Sequence, residues 1–164
     1  VSNFRLVYAN WTNGDATWND IFNNTGNIVQ GPITEEFYPN ECPNNFDCFK
    51  DLKEGVAYAQ KVNKPILLDF TGYACVNCRK MEEHIWPKAS IKSYFENDYV
   101  LISLYVDDKK ELPEDQKLTV ERLGGGTRVL ENYGHKWAHF QTQFNKHRFS
   151  NERKGRPYNL EFRV

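Results

Sequence analysis

The chain has 164 residues, 40% of them hydrophobic and 15% aromatic, with a net charge of -1 at pH 7. That length allows one domain with a sizeable core, and a mean hydropathy of -0.72 points to a soluble protein. The near-neutral balance gives no electrostatic reason to expect a nucleic acid or an anionic membrane partner, and no apolar run approaches the ~20 residues that span a bilayer.

Residues 1–41 are rich in Asn, Gly, Thr and aromatics, including Trp11, Trp18, Phe22, Phe37 and Tyr38. Phe4, Leu6 and Tyr8 alternate as in a strand, Asp15 to Phe22 has the makings of a short helix, and Asn23 to Asn27 and Gly31-Pro32 carry turn chemistry. We read an N-terminal extension whose aromatics pack on the domain that follows. A carbohydrate-binding face is the sharper alternative. Asn10-Trp11-Thr12 and Asn23-Asn24-Thr25 match the glycosylation sequon, a match read as chance.

Residues 42–164 form the second unit. Cys42 and Cys48 are separated by five residues that include Pro43 and two Asn, a loop able to close as a disulfide. Asp51 followed by Glu54 reads as a helix N-cap with an acid at the third helical position. Leu52, Val56, Ala59 and Val62 then repeat at helical spacing until Asn63, and Lys64-Pro65 ends the helix. Ile66 to Phe70 is an apolar strand with one acid, Asp69, set inside it, and Thr71-Gly72 breaks it. A helix opens at Cys75-Val76-Asn77-Cys78 and carries Met81, Ile85 and Trp86 on one face until Pro87; Ile91, Tyr94 and Phe95 mark a second, short helix. Tyr99 to Val106 is the strongest strand in the chain. Strand, crossover helix and strand make a βαβ unit, so the two strands should run parallel.

Asp107 to Thr127 is polar, contains Pro113 and Gly124-Gly125-Gly126, and is expected to be an insertion with one helical turn around Leu118 to Leu123. The three glycines lack the Lys-Ser or Lys-Thr of a phosphate loop and read as a linker. Trp137, Phe140 and Phe144 share a helical face, which predicts a helix from about Gly134 to Asn145. Asn159 to Val164 can supply one more strand.

The dithiol carries the chemistry. A cysteine at a strand-to-helix junction meets unpaired backbone N–H groups and the positive end of the helix dipole, which stabilise a thiolate. The spacing lets Cys78 reach back and release a mixed disulfide formed at Cys75. Neutral Val76-Asn77 between the cysteines suggests a reducing pair, toward the ~-270 to -200 mV end of the known span. Asp69 stands six residues before Cys75. It either faces solvent or is a buried acid of raised pKa that accepts the Cys78 proton. Glu82 and Glu83 read as solvated and Arg79 as a helix-surface residue. Structural zinc also uses Cys-x-x-Cys, with Cys42, Cys48 and His84 or His135 to complete the set. The Cys42–Cys48 gap is wider than zinc sites favour, and zinc has no need of an acid inside the preceding strand. His135 and His139 share a helical face but lack an acid between them; they, His84 and His147 read as surface or packing residues.

The string Leu67-Leu68-Asp69-Phe70, four residues, then Cys75-Val76-Asn77-Cys78 resembles the active-site strand and helix of the thioredoxin superfamily. The longer run Asp69 to Glu82, with Tyr99 to Asp108 and Gly134-His135-Lys136-Trp137, is similar to the periplasmic C-terminal domain of DsbD-type thiol:disulfide interchange proteins of the Bacteroides-like branch. The resemblance covers roughly residues 42–143. It implies an α/β thioredoxin-like fold, a central mixed sheet flanked by helices. Within that fold Cys75 is the nucleophile, Cys78 the resolving thiol, Asp69 the proton acceptor, and Tyr73 and Ala74 lie at the substrate surface. Thioredoxin pairs its acid with a lysine on the neighbouring strand; the matching position here is Ser103. The cis-proline of such domains has Pro157 as its only candidate, and the second hairpin strand and last helix are not visible after it, so a C-terminally shortened fold is expected.

The functional expectation is a thiol:disulfide oxidoreductase that reduces periplasmic protein disulfides, with a disulfide isomerase and a zinc- or disulfide-held binding module as alternatives. No cofactor is expected beyond the Cys75–Cys78 pair. The resemblance implies protein thiol or disulfide substrates and a membrane electron-donor domain as partners, with the chain held in an inner-membrane-anchored protein.

Overall fold

The computed structural model describes residues 3–7, 38–122 and 124–153, with the backbone alone for 3–7 and 144–153. The helix expected at 15–22, the turns of the first segment, its aromatics Trp11, Trp18, Phe22 and Phe37, both sequons, Pro157 and the strand expected at 159–164 lie outside the described residues; Tyr38 is described and is 69% exposed.

Strand β1 (Asn3–Val7) is followed by β2 (Asn40–Cys42), β3 (Phe46–Cys48), α1 (Leu52–Val62), β4 (Ile66–Thr71), α2 (Val76–His84), α3 (Ala89–Asn97), β5 (Val100–Tyr105), β6 (Leu118–Glu121), β7 (Thr127–Leu130) and α4 (Tyr133–Arg153). The central sheet is mixed, in the order β1-β4-β5. β4 and β5 run parallel with Asp69 opposite Ser103, and β1 lies antiparallel on the other side of β4. Beyond β5, Phe49 extends the sheet by one residue: its N–H donates to the Leu101 carbonyl at 2.9 Å and its carbonyl accepts from Ser103 N–H at 2.8 Å.

Period-two alternation splits the sheet's contacts between its faces. Ile66, Leu68 and Phe70 of β4, with Val100, Ile102 and Leu104 of β5, join Leu52, Val56, Ala59, Trp137 and Phe140 in one core. Leu67 and Leu101 point the other way and pack with Trp86, Phe95, Phe46, Cys42 and Cys48, edged by Met81 and Ile85. Helices α1 and α4 thus cover one face; α2, α3 and the β2–β3 hairpin cover the opposite one. Asp69, Thr71, Ser103 and Tyr105 belong by alternation to the α2 face.

Helix α1 starts where the sequence says it should. The Asp51 carboxylate accepts from Lys53 N–H at 2.8 Å and Glu54 N–H at 3.3 Å, and Asn63 ends the helix in the left-handed region at φ 51°. Residues 118–123 correct the sequence expectation: β6 pairs antiparallel with β7, from Leu118 opposite Leu130 to Glu121 opposite Thr127. Gly124, Gly125 and Gly126, all at positive φ, reverse the chain. Pairing there wins over a single helical turn, whose nucleation is unfavourable. Helix α4 covers the predicted span and continues to Arg153.

Candidate active site

β4 delivers the chain into a tight turn, Gly72 to Ala74, and α2 begins at once. Cys75 is its N-cap, with extended backbone, and its Sγ accepts from Cys78 N–H at 3.3 Å. Cys75 and Cys78 are joined as a disulfide, with 5.2 Å between their Cα atoms. The two sulfurs differ in access: Cys75 is half-buried and Cys78 buried. Tyr73 and Val76 flank Cys75 and are 58% and 67% exposed; Ala74 is exposed too. The Tyr73 ring stacks on Tyr105 at 4.4 Å between centroids.

The turn is held from β5. Asp107, just past that strand, accepts from Tyr73 N–H at 2.8 Å through Oδ1 and from Ala74 N–H at 2.9 Å through Oδ2. A Cβ on Gly72 would stand 2.9 Å from Asp107 Oδ2, so any larger residue there displaces the carboxylate. Sequence reasoning missed Asp107. Parallel strands end side by side, so the residue after β5 falls beside the turn after β4, and that register was the available signal.

Asp69 is 5% exposed, which decides between the two sequence readings of its face. Ser103 Oγ donates to its Oδ2 at 3.4 Å. Burial, and then the nearby Glu82 carboxylate, push the Asp69 acid up to about 7, against smaller opposing effects of the Ser103 hydrogen bond and the Arg79 charge. No lysine stands across from it; the register partner is Ser103, as the sequence suggested.

Glu82 is a correction, whereas Arg79 lies at the helix surface as expected, its side chain 29% exposed, but is bonded there. Glu82 is only 3% exposed, because it sits four residues after Cys78 on the same helical face, while Glu83 is exposed. Burial, ahead of the opposing Arg79 charge, raises its carboxyl above the ordinary range. Arg79 Nη2 donates to Glu82 Oε1 at 2.8 Å and to Thr71 Oγ1 at 3.0 Å, with its guanidinium 6.0 Å from the Tyr105 ring centre. It ties α2 to the end of β4. Glu82 Oε2 and Arg79 Nε have no hydrogen-bond partner among the described residues.

Cys42 and Cys48 form a second disulfide, Cα to Cα 5.8 Å, buried in the α2-side core. Within its loop Asn44 and Asn45 adopt positive φ, and Asn44 Nδ2 donates to the Glu82 carbonyl at 2.6 Å. The loop thus braces the active-site helix. Among the described residues no group of three or more His, Cys, Asp or Glu side chains is placed to hold a metal ion, and no described helix is long and apolar enough to cross a membrane.

A family model described as thioredoxin-like matches residues 47–121, a span that contains β4, the dithiol, α2, β5 and Asp107. No curated protein matches the chain. The matched span and the α/β architecture around it are a thioredoxin-like domain.

Proposed function

We propose that this thioredoxin-like domain is a thiol:disulfide oxidoreductase working as a reductant of protein disulfides. The observation that carries the reading is an asymmetric sulfur pair, one accessible at a helix N-terminus and one buried on the face that holds Asp69. In the reduced protein the Cys75 thiolate attacks a substrate disulfide. A Cys75–substrate bond forms, and the first substrate sulfur leaves and takes up a proton. Cys78 then loses its proton to the Asp69 carboxylate and attacks Cys75 Sγ. The Cys75–Cys78 bond closes, the substrate leaves as a dithiol, and two electrons have passed to it.

Asp69, held up to about 7, exchanges a proton readily near neutral pH. The neutral Val76-Asn77 pair supports a reducing potential. We place the domain in the periplasm, recharged by a dithiol of a membrane partner, on the strength of the resemblance of Asp69 to Glu82 to DsbD-type proteins. Tyr73, Ala74 and Val76 offer the surface that a substrate chain meets beside Cys75.

Titration of the Cys75–Cys78 pair against dithiothreitol tests the reading. A reversible two-electron transition near -270 to -200 mV, with reductase activity abolished in Cys75→Ser, is expected. Retained activity in Cys75→Ser overturns it. Isomerisation of scrambled substrates by Cys78→Ser would mark an isomerase instead.

A further inference from the structure

We propose that Asp107 is a positioning residue that sets the pair's reducing strength by withholding backbone N–H groups from the Cys75 thiolate. This rests on the redox reading of the dithiol above.

The amides of Tyr73, Ala74 and Cys75, the three that lead into α2, are all occupied. Tyr73 N–H and Ala74 N–H donate to the two Asp107 oxygens, and Cys75 N–H donates to the Gly72 carbonyl at 3.1 Å. An anion at Cys75 therefore draws on α2 alone, where Cys78 N–H already points at Sγ. A carboxylate bound to the N–H of Ala74, the residue before Cys75, also disfavours a second negative charge there. Partial burial, and after it the charges of Asp108 and Asp107, raises the Tyr73 phenol. The other charged groups around this turn are Asp69 on β4, Arg79 and Glu82 on α2, and Lys50, whose Nζ lies 5.7 Å from the Tyr105 ring centre.

Asp107 is held firmly. Val106 N–H donates to the Thr71 carbonyl at 2.9 Å, and Gly134 N–H at the start of α4 donates to the Asp108 carbonyl at 2.8 Å. A Cβ on Gly134 would stand 2.6 Å from that carbonyl oxygen. The backbone on either side of Asp107 is thus tied to β4 and α4, and its two carboxylate oxygens meet two N–H groups. Stabilising a thiolate stabilises the dithiol form and makes a pair more oxidising; Asp107 acts in the opposite sense.

The test titrates the intact chain against dithiothreitol, whose thiols lose two electrons and close into a ring disulfide while the Cys75–Cys78 bond takes up the electrons and opens. Asp107→Asn keeps the shape but removes the charge and one acceptor. It should shift the equilibrium constant five- to tenfold toward the dithiol, a tenfold shift being about 30 mV less negative, and let Cys75 alkylate at lower pH. Gly72→Ala keeps the charge but displaces the carboxylate, and should shift the constant in the same direction by less. Constants within twofold of wild type in both folded variants, even with reduced activity, overturn the proposal and leave Asp107 a brace. A wild-type chain with no two-electron transition would instead bring down the redox reading on which the proposal rests.

Discussion

The Asp69 carboxylate accepts the Ser103 hydroxyl across the parallel β4–β5 register, at 3.4 Å and away from solvent. One neutral donor cannot offset the desolvation of a carboxylate, and Glu82 nearby adds repulsion. The proton on Asp69 is therefore a folded-state property with consequences for both stability and rate.

Asp69 titrates near 3.8 in the unfolded chain and at about 7 in the folded protein. Between those values the folded state holds a proton that the unfolded chain has released, so stability falls as pH rises through the window and levels off above it. Asp69→Asn removes this penalty. It should stabilise the protein by about 2–4 kcal/mol at pH 8 and by little at pH 4, from ~1.4 kcal/mol per pKa unit. Urea unfolding at the two pH values checks this. The same variant should slow closure of the Cys75–Cys78 bond about 100-fold at neutral pH, and wild-type closure should accelerate as pH passes through 7.

Arg79→Ala strips the partner from a buried Glu82 and releases Thr71. A destabilisation of about 2–4 kcal/mol follows from an uncompensated buried acid, readable as a lower urea midpoint. Arg79→Ala with Glu82→Gln should recover part of it, because the charge is then gone.

Much of this site was legible in the sequence. An acid inside an apolar strand, a broken turn and Cys-x-x-Cys at a helix start predicted β4, α2 and the dithiol, and the resemblance to thioredoxin put Ser103 opposite Asp69, where the β4–β5 register has it. Glu82 escaped because an acid four residues after Cys78 reads as solvated until Arg79 is seen to pair with it and the β2–β3 loop to pack on α2. The β6–β7 hairpin was hidden by brevity. Leu118 and Val120 are half-buried while Thr119 and Glu121 are exposed, a two-residue period over only four residues. Asp107 acts across 33 and 34 positions of sequence separation, which no local pattern encodes.

Replacing Cys42 and Cys48 together by alanine should lower stability by about 2 kcal/mol, the scale for a short disulfide loop, by thermal or urea unfolding. Reductant strong enough to open that bond in wild type should reproduce the loss.

Asp51→Ala removes both hydrogen bonds that cap α1 and should lower stability by about 1 kcal/mol. Asp51→Asn, which keeps an acceptor oxygen, should recover most of it. The comparison separates capping from the charge that Asp51 offers Lys136, whose Nζ is 4.0 Å away.

The unequal exposure of Cys75 and Cys78 fixes the order of events in both directions. An incoming thiol that attacks the closed pair meets only the outer sulfur, so every covalent adduct begins there whether electrons are arriving or leaving. On the redox reading proposed above, donor and acceptor use the same doorway in turn, and the domain shuttles between them.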